Sequence, residues 1–315
     1  MERKFHRNTY FGLSFMSISP MNKLLYYLLL LPISRLPFPI LYGLSNILYF
    51  FMYRIFSYRK TLVRDNITRS FPNKSKAEIH KIESDFYRHL CDLIVEGVKN
   101  FTISEAASRR RMKVINPELL DPYFNKGQSV ILVGGHYNNW ELVALAFPMQ
   151  IKHTPLALYT PLQNAFWNEK VTKSRSKYGL QMLVIDEILQ KMKTQKEEKF
   201  AVIFGSDQSP RRSQMAHFMT FLNQETGVAY GAERLAREFN IPVIAGSNRK
   251  VSRGHYEVIY TLISEDHSQF RKGEITEAFT RHLEKDILSA PQYWLWSHKR
   301  WKRSKSDHNP DRIVR

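Results

Sequence analysis

Cysteine is nearly absent from the sequence, which has a single copy, Cys91, among 315 residues. One cysteine cannot form an intrachain disulfide, and it excludes a zinc site built from several cysteines. Cys91 lies in the stretch HLCDLIVE, whose spacing predicts a helix, and we expect it to belong to the core. A chain without cystines suits a reducing compartment.

Acidic residues are also scarce relative to basic ones. The chain has 29 acidic and 47 basic residues, which gives a formal net charge of +18. Such an excess indicates an anionic partner, which could be a nucleic acid, a membrane surface, or a phosphorylated or acidic substrate. With 315 residues and 43% hydrophobic content, the chain has ample material for the core of one fair-sized domain.

Several motifs of cofactor and metal chemistry are missing. There is no HExxH, no CxxC and no EF-hand loop, so the sequence predicts no metal site. GxGxxG and GxxxxGK[ST] are absent, which disfavours nucleotide-dependent chemistry. The lack of a GxSxG elbow argues against a serine hydrolase. We therefore expect no resident cofactor.

Charge is sparse in residues 24–56, where Arg35 and Arg54 are the only charged residues. Prolines divide this apolar segment, and residues 38–53 fall short of the roughly 20 apolar residues of a straight membrane span. The segment could be a tilted or kinked span, a helical hairpin at the membrane interface, or a buried helix pair. Tyrosines near its ends and basic flanks favour an apolar N-terminal helical membrane anchor. We therefore divide the chain into an extension and anchor, 1–57, and a main domain, 58–315.

Strand and helix signals alternate through the main domain. Ser75 with Glu78 predicts a capping box at the start of a long helix. Strands are predicted at residues 130–133, 154–160, 179–185, 200–205, 242–246 and 256–263. Helices are predicted between them at residues 168–177 and 229–239, and after the last strand at residues 274–288. Together these patterns predict an α/β fold with a mostly parallel or mixed sheet flanked by helices.

His136 stands at a position that suits chemistry, in the stretch SVILVGGHYNNWELVALA at residues 129–146. It follows a strand on a glycine-rich turn, where open α/β sheets place reactive groups. Glu141 falls in the first turn of the next helix, from which its side chain could turn back to the imidazole. Taken alone, the pattern favours an incidental histidine with a glutamate that merely suits the helix dipole, because His and Glu at this spacing are a weak signal.

A histidine polarised by a carboxylate can take a proton from a hydroxyl group. Asp207 follows another predicted strand and is a second carboxylate of interest, although it could simply stabilise a loop. No serine or cysteine nucleophile adjoins His136 in the sequence. Direct attack by a substrate hydroxyl on an activated carbonyl therefore fits better than a covalent intermediate.

Six segments in chain order carry a resemblance to a known family. They are RKTLVRDNITRSFPNKSKAE at 59–78, GGHYNNWE at 134–141, LYTPLQN at 158–164 with Arg175 beyond it, GSDQSPR at 205–211, FLNQETGVAYGAERLAR at 221–237 and APQYWLWSHKRWK at 290–302. The second resembles the HxxxxE form of the HxxxxD motif of glycerolipid acyltransferases. The whole set resembles the lauroyl/myristoyl acyltransferases of lipid A biosynthesis.

The resemblance implies transfer of a fatty acyl group from acyl carrier protein, as the thioester co-substrate, to a hydroxyl of a lipid A precursor. It implies a bacterial inner-membrane enzyme whose catalytic domain faces the cytoplasm. His136 would be the general base and Glu141 its orienting partner. The supporting residues, binding substrate or aiding the site, would be Arg175, Asp207, Asn164, Gln208, His298 and Arg300.

The expected partners are acyl carrier protein, an anionic lipid and the membrane, with no nucleic acid. The same chemistry on an amino-acid lipid or a lysophospholipid is an open alternative, and a non-catalytic, basic, membrane-associated binding protein is another. Three points temper the resemblance. Thr160 stands where the family often has arginine or lysine, His298 to Arg300 could be a basic rim, and the closing tryptophans could be core. Arg211 and Arg212 are expected to be surface charges.

Overall fold

The computed structural model describes residues 20–210 and 216–303. Residues 1–19 of the predicted extension, the tail after residue 303, and Arg211 and Arg212 lie outside these ranges. Twelve α-helices fall within the described residues, together with shorter 3-10 and π-helical turns. They are α1 (Pro20–Leu24), α2 (Leu31–Arg35), α3 (Phe38–Tyr49), α4 (Lys60–Ser70), α5 (Lys76–Lys99), α6 (Glu105–Arg111), α7 (Asp121–Asn125), α8 (Trp140–Ala146), α9 (Ala165–Ser176), α10 (Ile188–Thr194), α11 (Gly231–Phe239) and α12 (Glu274–Ser289).

The strands of the described residues are β1 (Met112–Val114), β2 (Val130–Gly134), β3 (Thr154–Tyr159), β4 (Gln181–Val184), β5 (Phe200–Gly205), β6 (Ala216–Phe221), β7 (Gln224–Ala229), β8 (Val243–Ser252) and β9 (His255–Ser264). Seven of them form a mixed sheet at the centre of the described protein, in the order β1-β9-β8-β2-β5-β3-β4. Only β8 and β9 pair antiparallel within it. β6 and β7 form a separate antiparallel hairpin. The predicted α/β fold with a mostly parallel or mixed sheet is confirmed.

The two faces of the sheet are covered by different sets of helices. β2 reads Val130-Ile131-Leu132-Val133, and all four side chains are buried, as expected for a strand covered on both faces. Ile131 and Val133 belong to a core with side chains of α10, α11 and α12. Val130 and Leu132 belong to a second core with side chains of α8. This burial fixes β2 in the middle of the fold.

The capping box predicted at the start of α5 is present. The Ser75 hydroxyl accepts from the Glu78 backbone N–H at 3.3 Å, and a Glu78 carboxylate oxygen accepts from the Ser75 backbone N–H at 2.8 Å. Because these two contacts satisfy backbone groups at the helix N-terminus, they fix where the helix starts.

The apolar segment before the main domain, residues 20–56, is named the arm. It folds as two helical pieces separated at Leu36, which is extended because Pro37 follows it. Within residues 20–210 and 216–303, no helix combines the length and the apolarity that crossing a bilayer requires. The prediction of a membrane-spanning anchor is therefore wrong, since the break at Leu36-Pro37 divides the apolar run into two shorter helical pieces.

One face of the arm packs on α5 through polar contacts. Tyr42 donates its hydroxyl to Glu96 at 2.9 Å, and Ser45 donates to Asp92 at 2.7 Å. The predicted boundary at residue 57 coincides with a turn in which Ser57 has a positive φ of 50°. That the arm is a unit separate from residues 58–315 stays a prediction.

Candidate active site

His136 and Asp207 are brought together by the register of two neighbouring strands. β2 and β5 run parallel, and Gly134 at the end of β2 lies opposite Gly205 at the end of β5. Each functional side chain follows its strand by two residues, so both project from the carboxyl edge of the sheet. This is the edge at which open α/β sheets bind their ligands.

Asp207 is the carboxylate that contacts the imidazole. Its Oδ1 lies 2.7 Å from His136 Nδ1, and its Oδ2 accepts from the His136 backbone N–H at 2.9 Å. The indole of Trp294 also donates to Oδ2, at 2.9 Å. The Asp207 side chain is only 2% exposed, whereas that of His136 is 25% exposed. The imidazole is thus fixed from behind and open on its other side.

Electrostatics fix the protonation states of this pair. Burial alone would raise the pKa of Asp207, but the charge of His136 and the hydrogen bonds from His136 and Trp294 lower it to about 2. Burial is the largest influence on His136 and would lower its pKa, but the charge and hydrogen bond of Asp207 and the charge of Glu141 together outweigh burial, so the pKa is raised above its ordinary value. An ionised Asp207 can only accept hydrogen bonds, so His136 Nδ1 carries the hydrogen of the neutral imidazole.

With the hydrogen on Nδ1, the Nε2 atom of His136 has a lone pair that can accept a hydrogen bond. The Gln208 amide nitrogen lies 3.2 Å from Nε2 and donates to it. Trp140 packs against the ring edge-on, with ring centroids 5.1 Å apart. A neutral imidazole held by a carboxylate at Nδ1, with Nε2 accepting, is the arrangement of a general base.

Glu141 is held by Arg175. The Arg175 Nε donates to one carboxylate oxygen at 2.9 Å, and a terminal nitrogen of the same guanidinium donates to the other oxygen. Glu141 therefore does not occupy the position predicted for it, because Asp207 fills the hydrogen-bonding position at Nδ1. Its charge still contributes to the raised pKa of His136.

The other predicted site residues make different contacts. His298 is next to the pair, because its Nε2 accepts from the Ser209 backbone N–H at 3.3 Å. Arg300 is 1% exposed and donates to the Thr226 hydroxyl at 2.6 Å, so it binds the β6–β7 hairpin. Asn164 caps α9 by accepting from the Trp167 backbone N–H at 3.1 Å. Asn164 therefore shapes the helix that carries Arg175.

One glycine of the turn, Gly135, is required by close packing. A Cβ at Gly135 would lie 2.7 Å from a methyl group of Leu283 and 3.3 Å from the Cβ of Asp207. Glycine at 135 therefore allows Asp207 and α12 to approach the turn. Asn138, two residues after His136, has a φ of 52° and donates its side-chain amide to the Asn248 carbonyl at 2.6 Å. These contacts hold the turn at residues 134–139 against β8.

A cavity of about 380 Å³ opens beside Glu141 and Arg175. Its walls come from α5, α8, α9 and the segment after β3, and most of the lining is apolar. The lining includes Leu93, Ile94, Gly97, Val98, Phe101, Leu145, Leu162 and Val171. Glu141 and Arg175 form a charged end close to His136, and Ile94 and Leu162 are exposed at the rim. Cavities of this size and character bind small apolar ligands.

Sequence reasoning underrated two features of the site. Trp294 was expected in the core, and it is 2% exposed, but its indole also fixes Asp207. The lining of the cavity was not predicted, because it combines residues 93–101 with residues 141–175. The QYWLW run at 292–296 was the sequence signal for the role of Trp294, whereas no local sequence pattern indicated the cavity lining.

Comparison with known proteins gives a consistent result. The sequence model of the family described as bacterial lipid A biosynthesis acyltransferase matches residues 11–303. The chain is similar to the lipid A biosynthesis palmitoleoyltransferase of Escherichia coli K12, with 23% identity over 273 residues, which is 85% of this chain and 87% of that protein. It is also similar to the lipid A biosynthesis lauroyltransferase of the same organism, with 24% identity over 272 residues and the same coverage of both chains.

Proposed function

The chain belongs to the bacterial lipid A biosynthesis acyltransferase family, and from this we propose that it transfers a fatty acyl group from acyl carrier protein to a hydroxyl of a lipid A precursor. The observation that carries the proposal is His136, held at Nδ1 by buried Asp207 with Nε2 directed to the open side. The net charge of +18 suits a phosphorylated lipid and an acidic carrier protein.

The proposed reaction needs no covalent acyl-enzyme. The acceptor hydroxyl displaces Gln208 from His136 Nε2 and gives its proton to that nitrogen as its oxygen attacks the thioester carbonyl. The new C–O bond forms a tetrahedral intermediate, which collapses with cleavage of the C–S bond. The thiolate leaves and takes the proton back from the imidazolium. General-base help of this kind is worth about 10²- to 10⁴-fold in rate.

Asp207 acts as the positioning residue in this scheme. It selects the Nδ1–H tautomer and stabilises the imidazolium that forms during attack. Arg175 is proposed to face the negative charge that develops on the carbonyl oxygen, or a phosphate of the acceptor, and Glu141 fixes its guanidinium. Glu141 is therefore proposed to position Arg175 rather than His136.

The arm is proposed to lie in the interface of the inner membrane, with the catalytic domain on the cytoplasmic face. Several large apolar side chains of the arm face outward, among them Leu28 at 69% exposed and Phe56 at 73% exposed. Basic residues such as Lys23 and Arg54 accompany them, as in segments that bind anionic lipid surfaces. A substrate that stays in the bilayer can then reach His136 from the leaflet.

The test is acyl transfer in bacterial membranes by the wild type and by His136→Ala, combined with mass spectrometry of the lipids of a deletion strain. We expect loss of one acyl chain from lipid A in that strain, restored by the wild type and not by the variant. Unchanged lipid A with another lipid altered would move the acceptor to that lipid. Wild-type activity in the variant would remove His136 as the base.

A further inference from the structure

The cavity beside Glu141 and Arg175 contains one glycine whose presence the backbone does not explain. Gly97 lies in the last turn of α5 and lines the cavity. It is not among the glycines of the described chain that have a positive φ. Glycine is less favourable than alanine in a helix, so the presence of a glycine at a helical φ needs another explanation.

Close packing does not explain Gly97 either. A Cβ built at this position meets nothing within 4 Å. The contrast is Gly135, where the space of the missing Cβ is already filled by Leu283 and Asp207. What the glycine preserves at position 97 is therefore open volume inside the cavity.

The lining of the cavity suits one apolar chain with a polar head. Two of its lining residues, Glu141 and Arg175, are close enough to His136 to influence its pKa, and His136 is where the carbonyl of a thioester would react. The remaining walls are mostly apolar, and Leu93, Val98 and Leu145 are among them. Its volume of about 380 Å³ fits a single small ligand, whereas a lipid acceptor carries several chains.

We propose that this cavity binds the fatty acyl chain of the donor thioester and that Gly97 is a determinant of the length of chain it accepts. This inference rests on the proposed acyl transfer and adds the donor's subsite. A leucine at position 97 would fill roughly the space of three to four methylene groups without moving the backbone. In an apolar site, each methylene that no longer fits lowers kcat/KM by about 10-fold or more.

The test is a competition among acyl carrier protein thioesters from decanoyl to hexadecanoyl, with the full-length protein and one fixed acceptor. Gly97→Leu should transfer shorter chains than the wild type, with the ratio of longest to shortest product lowered at least about 10-fold. Gly97→Ala should shift the same ratio by less. Mass spectrometry of the acylated products measures transfer from the decanoyl, dodecanoyl, tetradecanoyl and hexadecanoyl donors in one reaction.

Gly43→Leu is the matched control. Gly43 lies in α3, a Cβ there also meets nothing within 4 Å, and it does not line the cavity. The control should leave the product ratio unchanged. An unchanged ratio in a Gly97→Leu protein that still transfers a short chain would overturn the proposal, as would an equal shift in Gly43→Leu.

A binding measurement separates this inference from the proposed function. Calorimetry with free dodecanoate does not depend on turnover, and Gly97→Leu should weaken binding at least about 10-fold relative to the wild type. If the wild type transfers no acyl group, the proposed function fails and this binding comparison still decides the subsite. If Gly97→Leu is misfolded by thermal unfolding, the Gly97→Ala protein carries both comparisons, and an unshifted ratio with unweakened binding in it overturns the proposal.

Discussion

Two carboxylates lie near His136, and the structure holds them in different ways. Asp207 is 2% exposed and accepts from the His136 backbone, the His136 ring and the Trp294 indole. Glu141 is 31% exposed, and both of its oxygens bind Arg175. The difference supports the proposal that Asp207 sets the protonation state of His136 and that Glu141 positions Arg175 beside the cavity.

The largest effect in this comparison is expected for Asp207→Asn. An asparagine amide at this position can donate to Nδ1, which would place the imidazole hydrogen on Nε2 and abolish its ability to accept a proton. We expect kcat to fall by about 10²- to 10⁴-fold, measured as acyl transfer at saturating substrate. Asp186→Asn, at an exposed aspartate, is the charge-matched control and should retain wild-type kcat.

A loss below about 10-fold in a folded Asp207→Asn protein would contradict the positioning role. The thermal unfolding midpoint distinguishes this result from misfolding. Asparagine is nearly isosteric with aspartate, so the folded structure is expected to persist.

Glu141→Gln should act through Arg175. The neutral amide no longer fixes the guanidinium, so we expect kcat/KM to fall by about 10²- to 10³-fold, as for loss of one stabilising group at a developing charge. Arg175→Gln should give a similar loss, and the double variant should lose little more than either single one. Losses that multiply in the double variant would show that the two residues act separately.

Trp294→Phe should have the smallest effect of the three. It removes one hydrogen bond to Asp207 and keeps an aromatic ring in the core, so a fall in kcat of about 10-fold is expected. Trp296→Phe is the control, because Trp296 is equally buried but its indole donates to the Pro291 carbonyl at 2.6 Å. Equal losses of kcat in the two variants would mean that Trp294 contributes only packing.

The fold was largely predictable from local sequence patterns. The buried runs at Val130–Gly134 and Phe200–Gly205 and the capping box at Ser75 have strong local signals, and all three predictions are confirmed. The β6–β7 hairpin was missed, because its antiparallel pairing is set by packing against α12 and the C-terminal tryptophans more than by alternation. The arm was overestimated because hydropathy does not show that Tyr42 and Ser45 donate to buried acids on α5.

The site was predictable in membership but not in pairing. His136, Glu141, Arg175, Asp207 and Gln208 were all expected, and the structure places each near the turn at residues 134–139. The spacing of His136 and Glu141 suggested a contact within one strand–turn–helix unit. Which carboxylate reaches the imidazole depends instead on the β2–β5 register and on the approach that Gly135 allows. Neither the strand register nor this close approach can be predicted from the spacing of residues in the sequence.

The most direct test of this account is the pKa of His136 itself, measured by nitrogen-15 NMR titration and assigned with His136→Gln. In the wild type it should lie above the ordinary value of about 6.5, with the neutral form carrying its hydrogen on Nδ1. Because a base must be unprotonated, the rate should rise as pH passes this pKa. In Asp207→Asn the pKa should fall, since burial remains and the partner charge is gone.

Glu141→Gln should lower the same pKa by less, because the charge of Glu141 is a weaker cause of the shift than that of Asp207. A pKa of His136 that falls more in Glu141→Gln than in Asp207→Asn would contradict the account and return Glu141 to the role of orienting partner.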